Sequence, residues 1–326
     1  MIMRKSYLKY FAGLLVFGSN GVVASFIHLS SYEIVLLRSV LGGCLLLALF
    51  FATGHRFTFM HHKRDLLFIS LSGVTMAVEW LLLFEAYAQI GVSLGMLINY
   101  TGPALVILFS PLFLKERITF PRLIALAAAL LGAFFISGQA AAHGVSAWGL
   151  LCAILSAVTY AIMVLTNKLA QSIKGIENSV LQLLCAAAVV AVFVGCKQGF
   201  SMDIAAGEWL PILWLGFVNT GLGCYFYFSS IGALPAQSVA ICGYLEPLFA
   251  VVLSVLILKE TMSPLQIIGA ALIVGGAVFG ECCRGRKAVN AVSRSLEIRW
   301  FSIRKRKNSP ETLAVSGLFL FMCASS

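Results

Sequence analysis

The chain has 326 residues, of which 60% are apolar and 11% charged, and its mean hydropathy is +0.96. A soluble domain carries about 25% charged residues because its outside must be wetted, so that class is excluded. The formal charge of +10 would point to nucleic acid in a soluble protein, but in a chain this apolar Lys and Arg mark the cytoplasmic loops of a membrane protein.

In chain order, the apolar runs predict ten helices, near residues 8–27, 33–53, 66–89, 92–114, 121–138, 147–166, 178–197, 208–230, 236–258 and 264–282. Each is close to the roughly 20 residues that a membrane-spanning helix needs. The breaks fall at Ser30-Ser31, Gly54 to Arg64, Gly91, Lys115 to Pro121, Gly138 to Ser146, and Pro235, residue types that interrupt helices. The first run follows Arg4 and Lys5 as a signal peptide would, but no small-residue cleavage site ends it. It is read as a retained helix.

The distribution of basic residues sets an orientation. With the N-terminus in the cytoplasm, Arg4, Lys5, Lys9, Arg56, Lys63, Arg64, Lys115, Arg117, Arg122, Lys168 and Lys174 fall inside, and only Lys197 and Lys259 fall outside. Nine more follow in the tail after Cys283. This excess predicts that both termini are cytoplasmic.

The two halves resemble each other. A shift of 144 positions lays Ile98–Ile118 on Cys242–Met262, matching Tyr100 with Tyr244, Pro103 with Pro247, and Lys115-Glu116 with Lys259-Glu260. The same shift brings Glu33 onto Glu177. Five helices per half is an odd number, so the second copy enters the membrane inverted, as in many secondary transporters. The expected organisation is all-α: a first five-helix repeat over residues 1–138, a second, inverted one over 139–283, and a basic, unordered tail over 284–326. A 12-residue apolar run closes that tail, from Thr312 to Cys323, and it is too short to span.

These residues resemble the drug/metabolite transporters of the EamA type, over Lys9 to about Cys283. The most specific features are the Leu-Lys-Glu that closes the fourth and ninth helices, the Tyr-Leu-Glu-Pro at 244–247, and Arg38 in the second helix. The resemblance implies an inner-membrane carrier that works without ATP, often an exporter of amino acids or related metabolites. It does not single out a substrate within a superfamily that also moves nucleotide sugars, polyamine-like cations and drugs.

Polar residues inside the spans are the candidate site. Glu246 is the eleventh residue of the run that begins at Ala236, near mid-membrane, where a carboxylate costs about 2.5–3.5 kcal/mol and so faces a cavity, pairs or carries a proton. Pro247 loosens the turn beside it. Glu79, flanked by Trp80, is the second deep carboxylate, and Glu246 and Glu79 are the candidates for proton or cation coupling. Arg38 lies five residues into its run, about 8 Å deep, which pairs it by depth with Glu85 in a structural ion pair. The residues expected to line the substrate site are Glu246, Tyr244, Glu79, Tyr100, Asn99, Trp80, Tyr160 and Asn20; for any one tyrosine or asparagine, a helix-to-helix hydrogen bond is the competing role.

The five histidines (His28, His55, His61, His62 and His143) sit in polar breaks, and the cysteines form no C-x-x-C pair, so neither a metal nor another cofactor is expected. No P-loop, H-E-x-x-H or G-x-S-x-G is present, which argues against an enzyme or a self-powered pump. Expected partners are a small-molecule substrate and membrane lipid, with no nucleic acid. The motifs Gly91-x-x-x-Gly95 and Gly276-x-x-x-Gly280 permit close helix contact and leave a homodimer open. A non-transporting membrane module and an ion channel are the alternative classes.

Overall fold

The structure is a computed structural model that describes residues 2–90, 92–137, 146–259, 263–265 and 267–280. The expected tail, Gly91 of the first glycine motif, His143 and Glu260 lie outside the described residues. Among the described residues there is no strand. The helices are α1 (Ile2–Gly18), α2 (Asn20–Ala24), α3 (Ser31–Ala52), α4 (Lys63–Ile90), α5 (Val92–Asn99), α6 (Gly102–Leu114), α7 (Phe120–Ser137), α8 (Ala147–Leu169) and α9 (Ile176–Lys197). Next come α10 (Trp209–Leu213), a π-helical segment (Trp214–Leu222), α11 (Gly223–Ile231), α12 (Ala236–Gly243), α13 (Leu245–Leu253), a second π-helical segment (Ser254–Leu258) and α14 (Ile267–Gly280).

Among the described residues, six stretches are long and apolar enough to cross a membrane: Ser31–Ala52, Lys63–Ile90, Ala147–Leu169, Ile176–Lys197, Ala206–Ile231 and Ala236–Ile257. Gly102–Leu114, Phe120–Phe135 and Ile267–Gly280 are shorter apolar helices. Large apolar side chains such as Leu108, Leu112, Leu131 and Phe134 are exposed on the outside of the bundle, as suits a protein whose solvent is lipid.

Local chemistry explains where these helices start and stop. At α3 the Ser30 hydroxyl accepts from the Glu33 amide, while the Glu33 carboxylate accepts from the Ser30 amide at 2.8 Å. The pair satisfies two of the free donors at a helix start. Pro103 sits in the first turn of α6, where its missing N–H leaves no bond unmade. Helix breaks at Tyr100-Thr101 and at Tyr244 divide two apolar runs. Lys115 (φ 56°) and Lys259 (φ 58°) then adopt the left-handed conformation at the ends of those runs, the only non-glycine residues to do so among the described residues. The lysines are 144 positions apart, as are the two tyrosines.

Packing follows a reciprocal pattern. Helix α1 lies against α11 and α13, and α8 lies against α4 and α6. Helix α3 packs on α9 and on the Trp214–Leu222 segment, α9 packs on α4, and α6 meets α12. Small residues allow the closest approaches. A Cβ at Gly42 would sit 3.0 Å from Gly216 O, and one at Gly132 would sit 2.6 Å from Gly269 O. On α14, Gly276 and Gly280 both face Ala125 of α7, at 2.9 Å from its O and 3.0 Å from its Cβ. The face of that second glycine motif is therefore filled within the chain.

Candidate functional site

One group of interior polar residues is built on Arg38. The residue is 7% exposed, its guanidinium carbon stands 4.7 Å from the centre of the Trp80 ring, and its Nε donates to Thr220 Oγ1 at 2.9 Å. Thr220 in turn donates to Leu215 O at 2.9 Å, five residues back along the π-helical segment. Such segments are uncommon and recur at functional sites. Arg38 lies within electrostatic range of both Glu79 and Glu246, yet it has no carboxylate at ion-pair distance among the described residues.

Glu79, 5% exposed, accepts from Asn99 Nδ2 at 3.3 Å, and Asn99 Oδ1 accepts from Ser156 Oγ at 3.2 Å. This chain of bonds ties α4, the end of α5 and α8 together. The half-buried Glu246 stands in the first turn of α13, just beyond the Tyr244 break. Its backbone supports the α1 crossing, where a Cβ at Gly18 would lie 3.1 Å from Glu246 O. Tyr10, Tyr87, Tyr100, Tyr160 and Tyr227 all lie within electrostatic range of its carboxylate. Three of these converge: Tyr160 and Tyr227 share a hydroxyl hydrogen bond of 3.3 Å, and the Tyr10 and Tyr227 rings are 5.4 Å apart.

The expected site residues therefore separate. Glu79 is bonded to Asn99, Trp80 lies under Arg38 and Tyr160 is bonded to Tyr227, with Glu246 in electrostatic range of Glu79, Tyr100 and Tyr160, while Tyr100 itself packs beside Tyr244. Tyr244 is fully buried against Ala129, Ala133 and Ile273, and its hydroxyl donates to Tyr100 O at 2.7 Å. Asn20 accepts from Asn219 Nδ2 at 2.9 Å, and Asn219 also donates to Val16 O and Ser19 Oγ, so this group joins the α1–α2 break to the π-helical segment.

The Arg38–Glu85 ion pair is not formed. Glu85 meets Lys197 Nζ at 3.6 Å and accepts from Tyr32, Gln89 and Trp148. The reason is helix length. Helix α4 has 28 residues and α3 has 22, so α4 projects about 9 Å further at 1.5 Å per residue. Counted from the loop they share, Arg38 falls much nearer the level of Glu79 and Trp80 than that of Glu85, which stands close to the level of Tyr32. Glu116, which follows the end of α6, accepts from the amides of Ala236 at 2.7 Å and Gln237 at 3.3 Å.

Thr220, Ser156, Tyr10 and Tyr87 are part of this interior and were not among the sequence candidates. The shift of 144 maps Arg38 to Gln182 and Thr220 to Met76, and Gln182 Nε2 reaches Met76 Sδ at 3.9 Å, so the two contacts are counterparts.

A helical bundle with apolar outer faces and ionisable groups in its interior defines a polytopic integral membrane protein. The chain belongs to the EamA-like transporter family, whose model matches residues 4–138 and 147–279. Among its relatives, the "Uncharacterized transporter YxxF" of Bacillus subtilis is 24% identical over 86% of this chain and 91% of its own. The "Probable terminal-alkyne amino-acid exporter" of Streptantibioticus cattleyicolor is 26% identical over 66% and 73%. The "Uncharacterized inner membrane transporter YicL" of Salmonella typhimurium is 21% identical over 87% and 98%. A protein crystal structure with 20% identity shares the fold, with a TM-score of 0.75 over 86% of this chain and 98% of that one.

Proposed function

We propose that this chain is a secondary carrier of a small metabolite, with a ten-helix body of two inverted repeats, residues 1–138 and 139–283, that exposes one polar interior alternately to each side of the membrane. The observation that carries this reading is the recurrence of paired features at one spacing of 144. These are the helix breaks at Tyr100 and Tyr244, the left-handed Lys115 and Lys259, and the counterpart contacts Arg38–Thr220 and Gln182–Met76. The reciprocal helix packing supports the same two-fold relation. Two near-equivalent halves can exchange conformations, which is the basis of alternating access.

The substrate contacts in this account are Glu246, Glu79, Asn99, Trp80, Tyr100 and Tyr160, between the halves. Arg38, Glu79 and Glu246 sum to a formal charge of −1 when ionised, which one proton or one substrate ammonium cancels. That arithmetic supports coupling through Glu79 or Glu246. Export of an amino acid or related compound draws support from the name of the Streptantibioticus relative, and the inner membrane from that of the Salmonella relative. The basic-residue count favours cytoplasmic termini.

Counterflow in proteoliposomes tests the reading. Vesicles loaded with one unlabelled metabolite from an amino-acid panel should transiently accumulate the labelled form. Absence of counterflow for every compound, or linear unsaturable flux, would leave a membrane module or a channel.

A further inference from the structure

We infer that Arg38 is the docking group for a carboxylate on the transported molecule. The inference rests on the carrier reading above and gives its site a recognition chemistry. Arg38 is more than nine-tenths buried, and a buried charge without a partner is strongly destabilising. What compensates it here is partial. The Trp80 ring covers one face of the guanidinium, and Thr220 engages Nε. Among the described residues the two terminal nitrogens donate to no protein acceptor, and Glu85, the carboxylate nearest in sequence expectation, is taken by Lys197 and Tyr32.

The arrangement holds the free edge of the fork in place. Thr220 accepts from Nε and donates to Leu215 O, so its hydroxyl cannot rotate without losing a bond. Helix α3 also packs closely on the π-helical segment in this conformation: a Cβ at Gly42 would stand 3.0 Å from each of Gly216 O, Gly221 N and the Thr220 methyl. A guanidinium fixed at one nitrogen and stacked on an indole presents its remaining N–H pair in the plane that a carboxylate accepts bidentately. Glu79 and Glu246 lie in electrostatic range without an ion pair to Arg38, Glu79 accepting instead from Asn99, and they are suited to the cationic end of the same molecule. Lysine in place of Arg38 keeps the charge and loses the planar fork.

The test uses the purified full chain and its melting temperature with two matched pools: L-leucine, L-methionine and L-phenylalanine, and the corresponding amino-acid amides. The amides keep side chain and ammonium and lose only the carboxylate. The acid pool should raise the melting temperature of the wild-type protein at concentrations about tenfold or more below those the amide pool requires, since a ligand bound only by the native state stabilises it. Arg38→Gln should abolish that preference, Arg38→Lys should retain part of it, and Thr220→Val should weaken the acid response while leaving the amide response unchanged. Equal potency of acids and amides on the wild type overturns the assignment without any variant, and so does a preference that survives in Arg38→Gln. If neither pool acts, the Arg38 assignment fails, while counterflow of another panel compound would keep the carrier reading.

Discussion

Glu116 offers a sharp energetic test because it caps a helix that cannot cap itself. The residue before α12 is Pro235, which has no side-chain acceptor, and the amides of Ala236 and Gln237 belong to fully buried residues. Glu116 accepts both, at 2.7 and 3.3 Å. Gln237 is held further by Arg122 on its Oε1 and by Ser110, to which its Nε2 donates at 3.0 Å. Leaving a buried donor unsatisfied costs about 1–3 kcal/mol, so with two donors Glu116→Ala should lose about 2–6 kcal/mol in all. Glu116→Gln keeps one acceptor and loses the charge at the positive end of the helix, which gives about 1–2 kcal/mol. Unfolding of the purified protein in mixed micelles by SDS should show that order. In a double-mutant cycle with Gln237→Ala the losses should be less than additive, since the residues share one network. Both single variants within about 0.5 kcal/mol of wild type would refute the cap, because that is the range of inert surface substitutions.

Three further outcomes follow from the same contacts. Glu246→Gln keeps shape and removes titration: counterflow should fall at least about tenfold and lose its pH dependence, with the melting temperature nearly unchanged, and an unaltered pH profile would take Glu246 out of coupling. Tyr244→Phe removes one hydrogen bond to Tyr100 O, so unfolding should show a loss of about 1 kcal/mol while transport affinity stays at wild type; a shift in affinity would return Tyr244 to the site. Gly132→Val should destabilise by about 1–3 kcal/mol by forcing α7 away from Gly269 O, and a neutral result would mean that the two helices are not in close contact.

Composition and hydropathy were enough to read a helical membrane protein, because lipid demands long apolar runs whatever their neighbours, while the resemblance to the family rested on the paired Leu-Lys-Glu and the Tyr-Leu-Glu-Pro. Helix ends were legible where a local signal exists: Ser30 with Glu33 starts α3, and Pro235 precedes α12. Lateral neighbours were not. Depth along a helix says nothing about which helix stands beside it, and the extra length of α4 shifts every level counted from its far end, which is why Arg38 was matched to Glu85 instead of standing level with Trp80. The π-helical stretch Trp214–Leu222 carries no composition signal, since its residues would equally form an α-helix. Tyr244 shows a further limit: a tyrosine beside a helix break satisfies a main-chain carbonyl as well as it would a ligand, and only the packing of α7 and α14 decides between them.

The central claim is that the two halves move against each other, and paired distances measure that directly. In a cysteine-free background, spin labels at the exposed Gln89 and Gln198 report on the end where Glu85 meets Lys197, and labels at the exposed Arg56 and Lys174 report on the end where Glu177 accepts from the Thr58 amide. On addition of a transported compound to proteoliposomes, the account predicts that one distance lengthens while the other shortens. Two distances that stay fixed, or that lengthen together, would contradict it.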